Sequence, residues 1–323
     1  MESAGATETV PTEAASSGLT LRRDFALVIP ALNEVPVVPE LIAELRAVFE
    51  LFDLDGEVIL VDDGSSDGTA DLARREAAGW GNLRVLSHAT NLGKSEAMIT
   101  AAHATDREYL ILFDADLQHM PAEIPRFLEK LAEGWDMVTG RKIGVYDKKV
   151  VSGIYNALSR RIFKVPVSDL NSMKAFRRSI LTGLHLRHDW HRFFVVLAHA
   201  QGHSVTEIDI DLHPRRAGTS KYRGPLRIAV GVMDMISVWF LLLFSRKPLL
   251  LFGSAGGAMI ASGLVVGGVA IYFRFVLEQG FRPLLYLVML LEIVGFLLVG
   301  VGLLAEMVAG VRDELDSLRR RVG

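Results

Sequence analysis

The chain has 323 residues, 35 Lys+Arg against 38 Asp+Glu, a formal net charge of -3 and no cysteine. No disulfide framework is open to it, and the near-neutral balance leaves no basic footprint for nucleic acid as a partner. Half of the residues are hydrophobic, but unevenly placed: residues 21 to 222 carry an α/β pattern, whereas 224 to 309 are overwhelmingly apolar.

Residues 1–20 are rich in Ala, Ser, Thr, Glu and Gly and lack the basic start and apolar core of a secretory leader. They read as a disordered tail. Phe25 to Ile29 predicts a short strand ending at Pro30. Leu41, Leu45, Val48, Phe49 and Phe52 then recur at helical spacing. Glu57 to Val61 predicts a second strand, closed by Asp62-Asp63-Gly64-Ser65-Ser66-Asp67-Gly68-Thr69, with Asp67 as the expected N-cap of the next helix. Leu83 to Leu86 is a third strand and Lys94 to Thr105 a helix.

Tyr109 to Phe113 is the fourth strand, and it delivers Asp114 and Asp116 to its end. Neighbouring side chains on a strand alternate, so these two carboxylates are expected on one face. With Gln118 they offer three oxygen ligands, a set that suits Mg2+ or Mn2+ together with phosphate oxygens. The pattern is short, and Asp-x-Asp also arises by chance in loops. Glu123 to Glu133 is helical and Asp136 to Val138 starts another strand.

Repeated β-α-β units imply a mainly parallel, Rossmann-like sheet with helices on both faces. Ligands of such sheets bind beyond the carboxyl ends of the strands. Those ends carry Asn33-Glu34, Asp62-Asp63, Ser87-His88 and Asp114-x-Asp116. A nucleoside base fits there: Asp62 or Asp63 can accept its ring N–H, and Pro30 to Glu34 can supply backbone groups. Asn91-Leu92-Gly93-Lys94 reads either as a β-to-α loop whose N–H groups approach a ligand or as a plain helix start.

Leu249 to Phe273 carries no charge and Pro283 to Ala305 only Glu292, each long enough to span a bilayer. The expected layout is a tail at 1–20, a cytoplasmic catalytic domain at 21–222, a juxtamembrane interfacial helix at 223–247, a two-helix hairpin at 248–309 and a tail at 310–323. Residues 225–244 are read as lying in the interface rather than spanning, because Arg227 and Asp234 interrupt them. Arg223, Arg227, Arg246 and Lys247 before the hairpin, and Arg312 and Arg319 to Arg321 after it, put both termini in the cytoplasm. Gly253-x-x-x-Gly257 and Gly263-x-x-x-Gly267 permit close helix approach, either for homo-oligomers or within the hairpin.

Together, Val28-Ile29-Pro30-Ala31-Leu32-Asn33-Glu34, the Val61-to-Thr69 run, Asn91 to Lys94, Asp114-Ala115-Asp116-Leu117-Gln118-His119, Asp169 to Arg178 and His213 to Tyr222 resemble a family 2 glycosyltransferase of the GT-A fold. The last two segments resemble its polyprenyl-phosphate branch, which includes dolichyl-phosphate mannose synthases. Met173-Lys174 departs from the pattern, since many relatives have glycine and an aromatic residue there. The resemblance implies an inverting transfer of one sugar from a nucleoside-diphosphate donor, UDP-hexose in preference to GDP-mannose, to undecaprenyl-type phosphate. It implies a multi-pass enzyme of the inner (cytoplasmic) membrane, with Asp63 at the base, Glu34 near the ribose or base, and Asp169 near the reaction centre.

The donor set is then Pro30, Asn33, Glu34, Asp62, Asp63, Lys94 and Asp114, the metal set Asp114, Asp116 and Gln118, and the catalytic set Asp116, Asp169, Arg215 and Lys221. A phosphate monoester, with a second pKa of about 6, is already mostly a dianion at neutral pH and needs no activating triad. It needs cations to steer it: Arg141, Lys148, Arg215, Arg216 and Lys221, with Ser152 as a donor. Rival readings are another lipid or polysaccharide acceptor, and a non-catalytic membrane scaffold.

Overall fold

The computed structural model of the chain describes residues 23–143, 162–184, 186, 190–214, 216, 233–240, 242, 247–280 and 282–322. The chain divides into two units, Met1–Ala229 and Val230–Gly323. The expected tail at 1–20 and four candidate site residues, Lys148, Ser152, Arg215 and Lys221, lie outside the described residues.

In the first unit the strands are β1 (Phe25–Ala31), β2 (Glu57–Asp62), β3 (Leu83–Ser87), β4 (Tyr109–Leu112), β5 (Met137–Ile143), β6 (Lys174–Arg177) and β7 (Val205–Asp211). The helices are α1 (Val38–Leu51), α2 (Thr69–Glu76), α3 (Lys94–His103), α4 (Ile124–Ala132), α5 (Arg178–Gly183) and α6 (Phe194–Ala200). They form one seven-stranded sheet of order β3-β2-β1-β4-β6-β5-β7. β1 pairs in parallel with β2 and β4, β2 with β3, and β5 with β7. β6 runs antiparallel to both neighbours, β4 and β5.

Strands of a parallel sheet are covered on both faces and read as continuous apolar runs. Accordingly every residue of β1 but Pro30 is buried. On one face Leu27, Ile29, Leu60, Ile111 and Phe113 pack with Leu41 and Leu45 of α1 and Phe127 and Leu131 of α4. Each such side chain contributes about 1.5–3 kcal/mol by leaving water. α3 is lined by small buried residues, Ala97, Ala101 and Ala102, with Met98. On the sheet's far side Phe176 of β6 meets Phe194 of α6 edge to face, with centroids 4.6 Å apart.

Two local expectations change. The fourth strand stops at Leu112, and residues 115–119 form a turn, so strand alternation does not set the directions of Asp114 and Asp116. The turn competes with the ladder because Asp116 Oδ1 accepts the Gln118 N–H at 3.2 Å and Leu117 adopts a φ of 52°. The N-cap position of α2 is Gly68, at a φ of 89°; Asp67 stands one residue earlier and bonds both the N–H and the hydroxyl of Thr69.

In the second unit, residues 233–240 are helical, with Met235 and Val238 buried and Trp239 and Phe240 exposed. Two helices follow, α7 (Pro248–Phe275) and α8 (Arg282–Val322). Within Pro248–Phe275 and Arg282–Val311, stretches of 18 residues reach mean hydropathies of 1.9 and 2.7, and both helices are long enough to cross a membrane. α8 continues unbroken through the 310–322 stretch expected as a tail. That stretch holds neither Pro nor an internal Gly after Gly310, and carries four Arg, two Leu and one Glu, which favour helix.

The helices meet along Gly253, Gly256 and Gly263 of α7 and Glu292, Gly295, Val299 and Gly302 of α8, a spacing of three and four. A Cβ on Gly256 would lie 2.6 Å from the Gly295 carbonyl oxygen, and one on Gly263 would lie 2.6 Å from Glu292 Oε1. Gly257 meets nothing within 4 Å, so the contact uses Gly256 rather than the expected Gly253-x-x-x-Gly257 pair. Glu306 accepts the Leu249 N–H at 3.1 Å, placing a carboxylate at the N-terminus of α7.

Candidate functional site

The carboxyl ends of β1, β2, β3 and β4 bring the polar motifs to one rim. Two loops there are stitched together by side chains. Asn33, at a φ of 51°, donates its N–H to Ser65 Oγ (2.8 Å) and accepts from the Ser66 N–H (2.9 Å). Glu34 N–H donates to Thr69 Oγ1 at 2.9 Å and Val35 N–H to Asp67 Oδ2 at 3.3 Å. Burial would raise the Asp67 pKa, but the Thr69 hydroxyl and the Thr69 and Val35 N–H groups hold it below the usual range. Pro30 lies within β1, beside Val61 of β2.

Asp63 organises the next loop. Its carboxylate accepts from the Leu92 N–H (2.9 Å), the Gly93 N–H (2.8 Å) and His88 Nδ1 (2.8 Å). His88 Nε2 in turn lies 2.9 Å from Thr100 Oγ1 on α3. The Leu92 and Gly93 N–H groups read as a ligand cradle are thus bonded to Asp63, which sits at the N-terminus of α3. Gly64, at a φ of 75°, lets this loop touch the first one: a Cβ there would lie 2.5 Å from the Thr90 carbonyl carbon. Asp62 is also buried, and its Oδ1 has no hydrogen-bond partner among the described residues.

Lys94 opens α3 and forms an ion pair with Asp114. Burial would raise the Asp114 pKa, yet the Lys94 ammonium holds its carboxyl well below the usual range. The Asp114 side chain is still 40% exposed, whereas Asp116 is buried. Gln118 is tied to the chain after β7: His213 N–H donates to the Gln118 backbone carbonyl at 2.9 Å, and Gln118 Nε2 donates to the His213 backbone carbonyl at 3.4 Å. Asp114, Asp116 and Gln118 follow one another at intervals of two, with the Asp114 side chain partly exposed, and carboxylate and amide oxygens are the donor chemistry of Mg2+ or Mn2+. His119, next in the turn, is buried with Nδ1 unpartnered. Burial pushes its pKa down to about 4, against the pull of Asp114, which leaves the ring neutral at pH 7.

Behind this turn lies a second layer of charge. Asp169 is buried; its Oδ1 accepts the Asn171 N–H at 2.9 Å and its Oδ2 lies 3.7 Å from Lys142 Nζ. Lys142 also donates to the Asn171 carbonyl at 2.7 Å. Lys142 carries no motif, whereas its neighbour Arg141 was the expected cation. Alternation along β5 turns Arg141 the other way, onto β7, where Asp209 grips it at 2.5 and 2.8 Å and Glu207 lies 3.4 Å away. Arg216 is likewise engaged, with Glu40 and Glu44 of α1. Neither arginine is an uncommitted cation. Lys174 of β6 is buried, its Nζ donating to the Ser172 carbonyl at 2.8 Å. Burial first, then the like charge of Lys94, lowers its pKa to about 7.

The rim therefore offers hard oxygen ligands, ammonium groups beside them and loops locked by their own side chains, an arrangement suited to a phosphorylated ligand. The family model for Glycosyl transferase family 2 matches residues 26–198. The dodecaprenyl-phosphate galacturonate synthase of Rhizobium johnstonii is 30% identical over 297 residues, covering 88% of both chains. The undecaprenyl-phosphate 4-deoxy-4-formamido-L-arabinose transferase of Serratia proteamaculans is 29% identical over 309 residues, covering 92% of both. Among solved structures, the fold is like that of glucosyl-3-phosphoglycerate synthase from Mycobacterium tuberculosis in complex with Mn2+, UDP and glucosyl-3-phosphoglycerate. That likeness has a TM-score of 0.56 at 20% identity and covers 74% of this chain and 86% of that one. The same enzyme has been crystallised with Mg2+ and UDP, again at a TM-score of 0.56.

Proposed function

We propose, from the premise that the chain belongs to glycosyl transferase family 2, that it moves one sugar from a nucleoside diphosphate to a membrane-held polyprenyl phosphate. The observation that carries this reading is the extent of the match to two polyprenyl-phosphate sugar transferases. A 92% match cannot omit both long C-terminal helices, so catalytic domain and hairpin are matched together.

Asp114, Asp116 and Gln118 would hold Mg2+ or Mn2+, which supplies Lewis-acid neutralisation of the charge on the departing diphosphate. Lys94, already against Asp114, adds an ammonium beside the same oxygens. The nucleoside sits over β1 and β2, with the Asn33–Glu34 loop at the ribose. Its ring N–H falls to Asp62 or Asp63; Asp63 is the base contact that the family resemblance implies, and its Oδ2 accepts a single protein N–H, which leaves an acceptor position there. UDP-hexose is the preferred donor over GDP-mannose, a reading supported by the UDP in the neighbouring structures.

The acceptor's phosphate oxygen attacks the anomeric carbon as the carbon–oxygen bond to the diphosphate breaks, which inverts that carbon. The dianion needs no general base. Lys142, fixed by Asp169 and the Asn171 carbonyl, steers it, together with Arg215 and Lys221, which flank Gly218-Thr219-Ser220. Ser152 and Lys148 belong to the same proposed acceptor side. The hairpin keeps the enzyme in the membrane where the lipid acceptor resides, with both termini cytoplasmic by the distribution of Arg and Lys.

The test is a panel of radiolabelled nucleotide sugars with undecaprenyl phosphate and purified full-length protein, read as label in the lipid phase. Labelled lipid from at least one donor is the expected result. Label appearing only in polysaccharide, or in no product, would remove the reading.

A further inference from the structure

A lysine inside a sheet strand is an expensive choice, because a buried ammonium loses its hydration and must be matched by acceptors. Lys174 is the first residue of β6 and only 3% exposed. Its ammonium has three donors to satisfy. One goes to the Ser172 carbonyl at 2.8 Å, and among the described residues no carboxylate forms an ion pair with it.

The surroundings do not correct this. Lys174 pairs with Leu112 at the end of β4, and Asp114 follows two residues later, about 7 Å along at the rise of a strand. Asp114 is held by Lys94, and Asp169 by the Asn171 N–H and Lys142. Lys94, Lys142, Asp114 and Asp169 all lie near enough to act on the Lys174 ammonium. Lys94 and Lys142 thus each hold a carboxylate, and among the described residues Lys174 has none. His191, from the Trp190–Phe193 turn, adds a fourth group: its N–H bonds Ser95 Oγ of α3 at 3.2 Å, and its ring Nδ1 is buried without a partner. Burial first, then the like charges of Lys94, Arg192 and Lys174, lower the His191 pKa well below its usual value, against the pull of Asp114.

We propose that Lys174 and His191 form an anion-binding subsite that selects a donor sugar bearing a carboxylate, a nucleoside-diphosphate hexuronate. The proposal rests on the transfer reading above and replaces its hexose donor by the corresponding uronate. A sugar is bonded directly to the diphosphate held at Asp114 and Asp116, so its ring substituents lie within one ring's width of that edge. A carboxylate there supplies acceptors to the two remaining Lys174 donors and to a ring N–H of His191. A hydroxymethyl group at the same position leaves the excess positive charge buried and unmatched. The other anion in the reaction is the acceptor's phosphate, and the assay separates the two.

Wild-type, K174M and K174R proteins are assayed with UDP-glucose, UDP-galactose, UDP-glucuronate and UDP-galacturonate, undecaprenyl phosphate being varied separately. The wild type is expected to favour a uronate over the matching hexose at least tenfold in kcat/KM. K174M is expected to cut that ratio at least tenfold through the donor KM, and K174R to restore part of it. Calorimetric affinities of the wild type for UDP-uronate and UDP-hexose read the same preference without any variant. The proposal is overturned if the wild type handles hexoses as well as uronates. It is equally overturned if K174M lowers both donors alike, or if its effect falls on the acceptor KM, which would assign the anion to the lipid phosphate. Failure of every donor to label lipid would strike the transfer reading instead, while the binding preference still reports on Lys174.

Discussion

Replacing Asp63 by Asn tests whether this carboxylate is a loop organiser before it is a ligand contact. Its side chain is 6% exposed and accepts three hydrogen bonds of 2.8–2.9 Å, two of them from backbone N–H groups that precede α3. Hydrogen bonds to a charged group are worth about 1.5–3 kcal/mol each, and an unsatisfied buried donor costs a similar amount. Asn keeps one carbonyl oxygen for Leu92 and His88 but turns an amide NH2 toward the Gly93 N–H. The expected loss is roughly 2–4 kcal/mol. At about 2–4 °C per kcal/mol for a domain of this size, the melting temperature falls by roughly 5–15 °C. Thermal unfolding in detergent reads the shift, and hydrogen exchange at Leu92 and Gly93 reads its location. A D63N protein that melts within 2 °C of the parent and keeps both amides protected, yet loses donor affinity, would refute the reasoning.

Three further outcomes follow from the same geometry. G64A places a methyl group 2.5 Å from the Thr90 carbonyl carbon at a φ of 75° and should lose at least 2 kcal/mol of stability (about the cost of strain plus overlap), read by thermal unfolding. Lys174 has its pKa lowered from 10.5 to about 7, so between those values the unfolded chain binds more protons and stability rises with pH. K174M removes that penalty: it should melt above the wild type at pH 7, and the gap should close as pH approaches 10. Like charge from Lys94 and Lys142 adds to the penalty, and Asp114 and Asp169 reduce it. In the hairpin, G256L drives a side chain into the Gly295 carbonyl oxygen and should separate α7 from α8, read as lost crosslinking between cysteines placed at residues 267 and 288, where a Cβ on Gly267 meets Val288 at an ordinary 3.8 Å.

The fold was legible because it is written in periodicity. Apolar runs at Phe25, Glu57, Leu83 and Tyr109, each followed by a helical repeat, define the parallel half of the sheet before any side-chain contact is known. β6 was not legible, since four residues containing a lysine and an arginine carry no strand signal of their own; pairing with β4 and β5 creates it. The rim was readable as a set of motifs but not as a set of free groups. Asp63 reads as a ligand contact in sequence, and in space its carboxylate also holds the Leu92 and Gly93 N–H groups. Arg141 and Lys142 are adjacent in sequence, and strand alternation alone decides that the first meets Asp209 and the second approaches Asp169. Lys174 stood out only as a departure from the family pattern, and its burial becomes visible only with β6 in place.

The central claim is that a divalent cation held by the Asp114–Asp116 turn serves sugar transfer to a lipid phosphate. It is tested most directly by following radiolabelled lipid made by full-length protein from a UDP-sugar and undecaprenyl phosphate, with EDTA and then with Mn2+ or Mg2+ restored. Product formation should stop with the chelator, return with the metal, and fail to return in D116A. Undiminished lipid labelling in EDTA, or in D116A, would contradict the account.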